Sequence, residues 1–159
     1  MSARSASYVA FFVGTVRYAV SIAHVKEVLR ALPVAPVPRV PSAVLGVADY
    51  RGELAVVLDL RRHFAVQDAA APPSHTKKCR WIVLRLGALS LALVVDDVIG
   101  VIPGSADAVR AMPAGAPGGF VRDVVAAFTH RGDLVFLLDT ERFHDLGATA
   151  LAERKSAGQ

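Results

Sequence analysis

The chain has one cysteine, Cys79, so it can form neither an internal disulfide nor a thiolate metal site. That scarcity points to a reducing compartment, and the expected location is the cytoplasm. Cys79 reads as a half-buried small residue at a strand start, with no role of its own. Long apolar runs are also missing. None approaches the roughly 18–20 residues of a membrane helix, and after the polar start Met1–Ser7 the stretch Tyr8–Val13 is too brief for a signal-peptide core. Neither membrane insertion nor export is expected.

Catalytic signatures are absent as well. There is no Gly-x-Ser-x-Gly elbow, and Gly118-Gly119 lacks the Lys-Ser/Thr of a phosphate-cradling loop. His24, His63, His75, His130 and His144 lie far apart, without metal-ligand spacing to a second ligand, and read as surface or turn histidines. Asp96 and Asp97 are adjacent, so on a strand they would face opposite sides and make a poor acid–base pair. The expectation is a protein that is not an enzyme and binds no cofactor or metal.

What the chain does have is apolar content. Of 159 residues 53% are hydrophobic and mean hydropathy is +0.43, enough for one ordinary domain with its own core. The net charge of +4 comes from 18 basic residues scattered among 14 acidic ones. The largest basic cluster is Lys77, Lys78 and Arg80, and aromatics are only 7% of the chain. Nucleic-acid platforms need aromatics interleaved with cations, so a mildly basic surface is the better reading and no nucleic-acid partner is expected.

The apolar residues come in short runs punctuated by Gly, Pro, Asp and Arg-Gly, the pattern of an all-β protein with short helical turns. Tyr8–Val13, apolar on both faces, reads as a strand covered on two sides. Val16–Ile22 and Val25–Leu29 follow. Pro33, Pro36, Pro38 and Pro41 forbid regular pairing, so that segment reads as a stiff extended connection rather than a ligand for another domain. Ala43–Tyr50 and Glu53–Asp59 form a hairpin about Arg51-Gly52, and Asp59 can cap a helical turn at Leu60-Arg61-Arg62. Gln67–Lys78 reads as an exposed connection. Arg80–Leu86, Ser90–Val95 and Val98–Ile102 are strands, Pro113–Gly119 a loop, and Val121–His130 with Asp133–Asp139 a second hairpin about Arg131-Gly132. Residues 146–159 read as a polar C-terminal tail, frayed over Leu151–Gln159.

The two halves resemble each other. RGELAVVLDLRRHF at 51–64 aligns without gaps to RGDLVFLLDTERFH at 131–144, and AVSIAHVKEVL at 19–29 aligns to ALVVDDVIGVI at 92–102. A long repeat present only twice argues for two similar subdomains rather than a solenoid. About five short antiparallel strands per half would close as two small barrels, which also removes exposed edges.

The stretch VPRVPSAVLGVADYRGELAVVLDLRRHF at 37–64 resembles the central signature of CheW-like domains, with its prolines, Gly46-Val47, Arg51-Gly52 and Val57-Leu58-Asp59-Leu60-Arg61 in register. The Val25, Glu27, Val28 pattern, the Val95, Asp96, Val98 pattern and the closing LVFLLDTERF match in the same order, so the resemblance spans residues 8–145. It implies two intertwined five-stranded SH3-like β-barrels forming one domain. It also implies a non-enzymatic adaptor with two protein partners in chemotaxis-like signal transduction. One is the regulatory domain of a CheA-type histidine kinase, itself CheW-like, contacted mainly through the first barrel. The other is the cytoplasmic tip of a methyl-accepting chemoreceptor, docked between the barrels. Further CheW-like domains are possible neighbours in an array.

Carried over by position, Val25, Glu27, Gly46, Arg51 and Val101 match sites the family associates with these partners, and Asp49 and Tyr50 flank them. Arg51 at a turn can make paired hydrogen bonds to a carboxylate, and Glu27 on the next strand could orient it. Gly46 would admit a partner's backbone. Each also has a structural alternative: a solvated turn arginine, core valines at equivalent-looking places (Val25 and Val101), or a glycine relieving crowding in its own strand. The sequence departs from the family at Asp49 (usually Asn), Tyr50 (usually Leu) and Ala55 or Val56 (usually Pro). A carboxylate at Asp49 desolvated without a partner would cost about 1–3 kcal/mol and weaken or redirect a contact. The alternatives are therefore a module that binds receptors without the kinase, and, further off, a small-barrel nucleic-acid binder.

Overall fold

A computed structural model describes residues 6–65, 78–104, 110–111 and 123–157. The connection read at Gln67–Lys78 lies outside these apart from Lys78. So do the Pro113–Gly119 loop, His75 and all but the end of Met1–Ser7.

The strands are β1 (Ala6–Val13), β2 (Val16–Ser21), β3 (Val25–Leu29), β4 (Val44–Tyr50), β5 (Glu53–Asp59), β6 (Arg80–Leu86), β7 (Leu89–Val95), β8 (Asp97–Gly104), the two-residue β9 (Arg110–Ala111), β10 (Val124–His130) and β11 (Asp133–Leu138). Helix α1 spans Leu60–His63 and helix α2 Thr140–Ala157. One sheet runs β8-β1-β2-β11-β10-β9 and the other β3-β6-β7-β5-β4. Each curls round its own core, giving the expected all-β pair of five-stranded SH3-like barrels, with β9 as a short addition to the first.

The halves do not each close on themselves. The hairpin β6–β7 of the second half sits in the sheet of β3, β4 and β5, and the hairpin β1–β2 of the first half in that of β8 to β11. The junctions between halves, β5 with β7 and β2 with β11, are parallel, which corrects the expectation of wholly antiparallel halves. Each exchanged hairpin is antiparallel to its neighbour on one side, β1 to β8 and β6 to β3, and parallel on the other, β2 to β11 and β7 to β5. The intertwining is the family's; the sequence repeat alone implied only two units.

Register makes the internal symmetry explicit. Tyr50 faces Glu53 across Arg51-Gly52, and His130 faces Asp133 across Arg131-Gly132. Both turns have positive φ at both central residues, 50° at each arginine and 83° at each glycine, the two-residue turn whose twist suits a hairpin. Asp59 accepts from the Arg61 backbone N–H at 3.0 Å and Asp139 from that of Glu141 at 3.0 Å, so both acids cap the helix that follows, each contributing about 1 kcal/mol.

Three cores result. The largest lies between the barrels and holds Phe11, Leu58, Leu60, Ile82, Leu91, Leu93 and Phe143. Strand β7 is buried along its whole length because Leu91 and Leu93 face this core while Ala92 and Val94 face inside the second barrel. Tyr8–Val13 is covered on two sides as expected: Val9, Phe11 and Val13 face the shared core, Tyr8 and Ala10 the interior of the first barrel. Asp96 ties the parts together, accepting from the Gly14 N–H at 2.6 Å and lying 3.3 Å from Arg61 Nε.

Three details differ from the sequence reading. The frayed end is instead the last part of α2: Phe143, Leu146, Gly147, Ala150 and Leu151 recur at helical spacing and lie along one face, with Phe143 and Ala150 buried and Gly147 against Leu89 and Leu91. Two of these five are Gly and Ala, which is why the stripe looked polar. His63 is no surface histidine; its ring packs against Phe64 and Phe143, and its Nε2 lies 3.1 Å from buried Asp123. Cys79 is fully buried rather than half-buried, and burial first of all pushes its thiol up to about 11, where little thiolate forms at neutral pH.

The proline segment runs extended against the edge of β4, where Ala35 and Val47 exchange hydrogen bonds of 2.8 and 2.9 Å. Gly46, at φ 146° and a bulge, lies under it, and a Cβ there would overlap the Ala35 carbonyl. Gly46→Ala should therefore cost roughly 2–4 kcal/mol in urea unfolding, whereas Gly52→Ala, with open space around it, should cost only about 1–2 kcal/mol. Equal losses would contradict this account of the bulge.

Candidate protein-interaction site

The residues singled out from sequence converge where the second barrel closes. Strands β3 and β4 are the two edges of their sheet, and Glu27 on β3 meets the β4–β5 turn across that seam. Glu27 Oε1 accepts from the Tyr50 hydroxyl at 2.8 Å, from Arg51 Nε at 3.0 Å and from Arg51 Nη2 at 2.8 Å. Glu27 thus orients Arg51 as expected, but from across the seam rather than from the adjacent strand. The guanidinium also lies 5.7 Å from the Tyr50 ring centroid, within cation–π range.

The chemistry of the cluster is that of a fixed, exposed cation. The Tyr50 hydrogen bond, with further help from Arg51, holds the Glu27 carboxyl below the usual range. Burial, followed by the bond to Glu27, raises the Tyr50 phenol. The Arg51 side chain is 71% exposed, so solvent screens the ion pair and its part in stability is small. Its effect is positional: with Nε and Nη2 engaged, Arg51 is held in one orientation. Nη1 makes no hydrogen bond among the described residues and can donate to a partner's carboxylate or carbonyl.

The departures Asp49 and Tyr50 acquire physical reasons. Tyr50 replaces an aliphatic plug with one that carries its own hydroxyl to Glu27. Asp49 is exposed, and its Oδ1 accepts from the Gly52 N–H at 2.9 Å. A side-chain oxygen at that position serves the turn whether it belongs to Asn or Asp.

The other positions are not part of this cluster. Val25 is partly buried and packs on the inter-barrel core, so its side chain is structural. Gly46 admits the chain's own Ala35-Pro36 backbone, not a partner's. Val101 sits on β8 of the other barrel, 60% exposed. Its equivalent is Val28 rather than Val25, because both oppose the same step of their partner strands after a bulge: Val101 faces Val9 and Val28 faces Ile82.

Sequence reasoning missed the companion network. Glu53 accepts from both Arg85 Nη1 (2.9 Å) and Nη2 (3.1 Å), and from buried Ser90 Oγ at 3.1 Å. The Arg85 bonds, ahead of the Ser90 bond, hold the Glu53 carboxyl low. Glu53 beside the Arg-Gly turn was the available signal, but its partners lie on β6 and β7. Exposed Ile22 and Val28 flank Glu27 in sequence, and exposed Leu54 follows the turn. Among the described residues no group of His, Cys, Asp and Glu is arranged to hold a metal, and no helix is long and apolar enough to cross a membrane.

Two interlocked SH3-like barrels with an oriented surface arginine at a hairpin turn define an all-β scaffold. The CheW-like domain model matches residues 7–147, and the chain belongs to that family. It is 39% identical over 90 residues to protein FrzA of Myxococcus xanthus, covering 57% of this chain and 54% of that one. It is 26% identical over 105 residues to the chemotaxis protein CheW of Treponema pallidum, covering 66% of this chain and 62% of that one. The matched parts therefore span less than two-thirds of either relative's length. The scaffolding protein TtCheW of Thermoanaerobacter tengcongensis has the same fold, with a TM-score of 0.75 at 20% identity over 86% of this chain and 90% of that one.

The geometry makes Glu27 a pH reporter. A carboxyl lowered on folding contributes stability that is fully present above its unfolded value of about 4.3 and is lost as pH falls through the lower folded value. Tyr50→Phe removes the principal cause of the lowering, so the Glu27 midpoint, followed by carboxyl 13C NMR, should rise and the acid loss should shrink. An unchanged midpoint would show that Arg51 alone sets it.

Proposed function

We propose that this protein is a non-enzymatic, cytoplasmic adaptor that couples methyl-accepting chemoreceptors to a CheA-type histidine kinase. Family membership supports the class, and the Glu27–Arg51–Tyr50 cluster supports the site. The cluster fixes an arginine outward at a hairpin turn, where an adaptor needs a specific polar contact and an enzyme would need a pocket. The receptor's cytoplasmic tip is assigned to this side, with Arg51 Nη1 as donor and the nearby exposed aliphatics as the apolar part of the contact. The kinase regulatory domain is assigned to the first barrel, leaving both partners bound at once. No nucleic acid is assigned, since Arg17, Arg51, Arg61 and Arg85 are each paired with a carboxylate and the sequence does not interleave aromatics with its cations.

A receptor-only module remains the second reading, because Tyr50 and Asp49 depart from the family beside the receptor-facing turn. What favours the full adaptor is that both departures are absorbed internally, by Glu27 and Gly52.

Arg51→Glu should weaken binding of a receptor tip fragment at least about tenfold in calorimetry. The melting temperature should fall by no more than about 4 °C, because the arginine is exposed. Unchanged affinity would remove Arg51 from the interface, and global unfolding would make it a structural residue.

A further inference from the structure

The internal repeat lets each half serve as a control for the other, and one pair of side chains stands out. His63 and Phe143 hold matching places in the aligned segments 51–64 and 131–144. Asp123 and Ala43 also match: the carbonyl of each accepts from the backbone N–H of its half's capping aspartate, Asp139 or Asp59, at 2.7 Å. In one half, then, these two places hold Phe and Ala, both buried in the inter-barrel core. In the other they hold histidine and aspartate, with side chains only 18% and 11% exposed. Burying that polar pair costs free energy that the apolar pair avoids. Nor is the pair well joined. His63 Nε2 lies 3.1 Å from Asp123 Oδ2 but too far off line for a hydrogen bond, and it makes none among the described residues. Packing does not explain such a pair.

Beside it is a cavity of about 310 Å3, where α1, α2 and the residue before β10 meet. His63 and Asp123 form one wall. Arg142, Asp145, Leu146 and Thr149 form the other, at the three- and four-residue spacings that share one helix face. The volume is at the lower end of the roughly 300–1,000 Å3 of small-molecule sites. Arg142 Nε is 4.0 Å from Asp123 Oδ1, too long for a hydrogen bond, and the guanidinium makes none among the described residues. Its counterpart Arg62 is engaged, donating to the Ser42 carbonyl at 3.4 Å and lying 3.7 Å from Asp59. The cavity thus presents a carboxylate and a guanidinium side by side, neither satisfied by the other, next to an aliphatic side chain.

We propose that this cavity binds an α-amino acid with a small aliphatic side chain. The ammonium group donates to Asp123, the carboxylate accepts from Arg142, and the side chain lies against Leu146. An acid and a base 4.0 Å apart select a ligand that carries the opposite charges on one carbon. A simple anion would leave Asp123 unanswered, and a simple cation would leave Arg142 so. The bound amino acid would bridge α1 of the first half to α2 of the second. The site shares no residue with the Arg51 cluster and does not depend on the receptor and kinase assignments.

The test uses the whole protein, 15N-labelled, with L-valine as the probe. N-acetyl-L-valine and L-valinamide, each lacking one charge, are the controls. L-valine should shift the amides of His63, Asp123, Arg142 and Thr149, and each control should bind at least about tenfold more weakly. The decisive variant rewrites one wall as the other half has it: His63→Phe with Asp123→Ala should melt no lower than the unaltered protein and should no longer bind L-valine. Arg142→Gln, an exposed change, should keep the fold and weaken binding at least about tenfold. No shifts at about 10 mM L-valine, ten times a millimolar Kd, would overturn the proposal, as would equal binding of either control or unchanged affinity in Arg142→Gln. A double variant that unfolds would make the pair structural, and one that still binds would remove it from the site; either result overturns the proposal too.

Discussion

The structure depends on one exchange: the hairpin β1–β2 of the first half completes the barrel of β8, β10 and β11, and the hairpin β6–β7 of the second half completes that of β3, β4 and β5. Without it, β3 would lose its pairing with β6, and nothing would hold Glu27 across the seam from the β4–β5 turn and Arg51. The exchange also creates the inter-barrel core, since β7 can be buried on both faces only if the two sheets share it. Stability and the interaction site therefore have the same origin. A chain that must cross between barrels twice cannot let them drift apart, so the surfaces on the two barrels keep a fixed spacing. A scaffold holding two partners in register needs that property.

Within this frame the repeat has diverged unevenly. The turns, the capping aspartates and the bulges recur at equivalent places in both halves, because backbone geometry demands them: a two-residue hairpin needs positive φ twice, and a helix start needs an acceptor. The side chains at the barrel ends are not under that demand. The second barrel has Tyr50 and Arg51 at its turn, both bonded to Glu27, whereas His130 and Arg131 hold the matching turn of the first.

Much of this was legible in the sequence, for reasons that can be named. Short apolar runs between turns gave the strands, and the Arg-Gly pairs gave both hairpins, because these signals are local. The second barrel's site was legible through the family pattern around Glu27 and Arg51. Pairing between distant segments was not: nothing in VKEVL says that it joins β6 rather than β2, and the parallel joins follow from that choice. Gly46 was misread because the backbone that crowds it, Ala35-Pro36, arrives from a segment whose path the prolines left undefined. Val101 was likened to Val25, although the gapless alignment of 19–29 with 92–102 already pairs it with Val28, as the register does. The final helix was missed because Gly147 and Ala150 bury well but look indifferent in a hydropathy pattern.

The central claim is that one rigid molecule holds two partners simultaneously. The most direct measurement immobilises the kinase regulatory domain and asks whether a receptor tip fragment is retained only when this protein is present. The account predicts retention with micromolar affinity at each step, about −8 kcal/mol, and loss of the receptor alone with Arg51→Glu. Mutual displacement of the two partners, or no retention of the kinase domain, would contradict it.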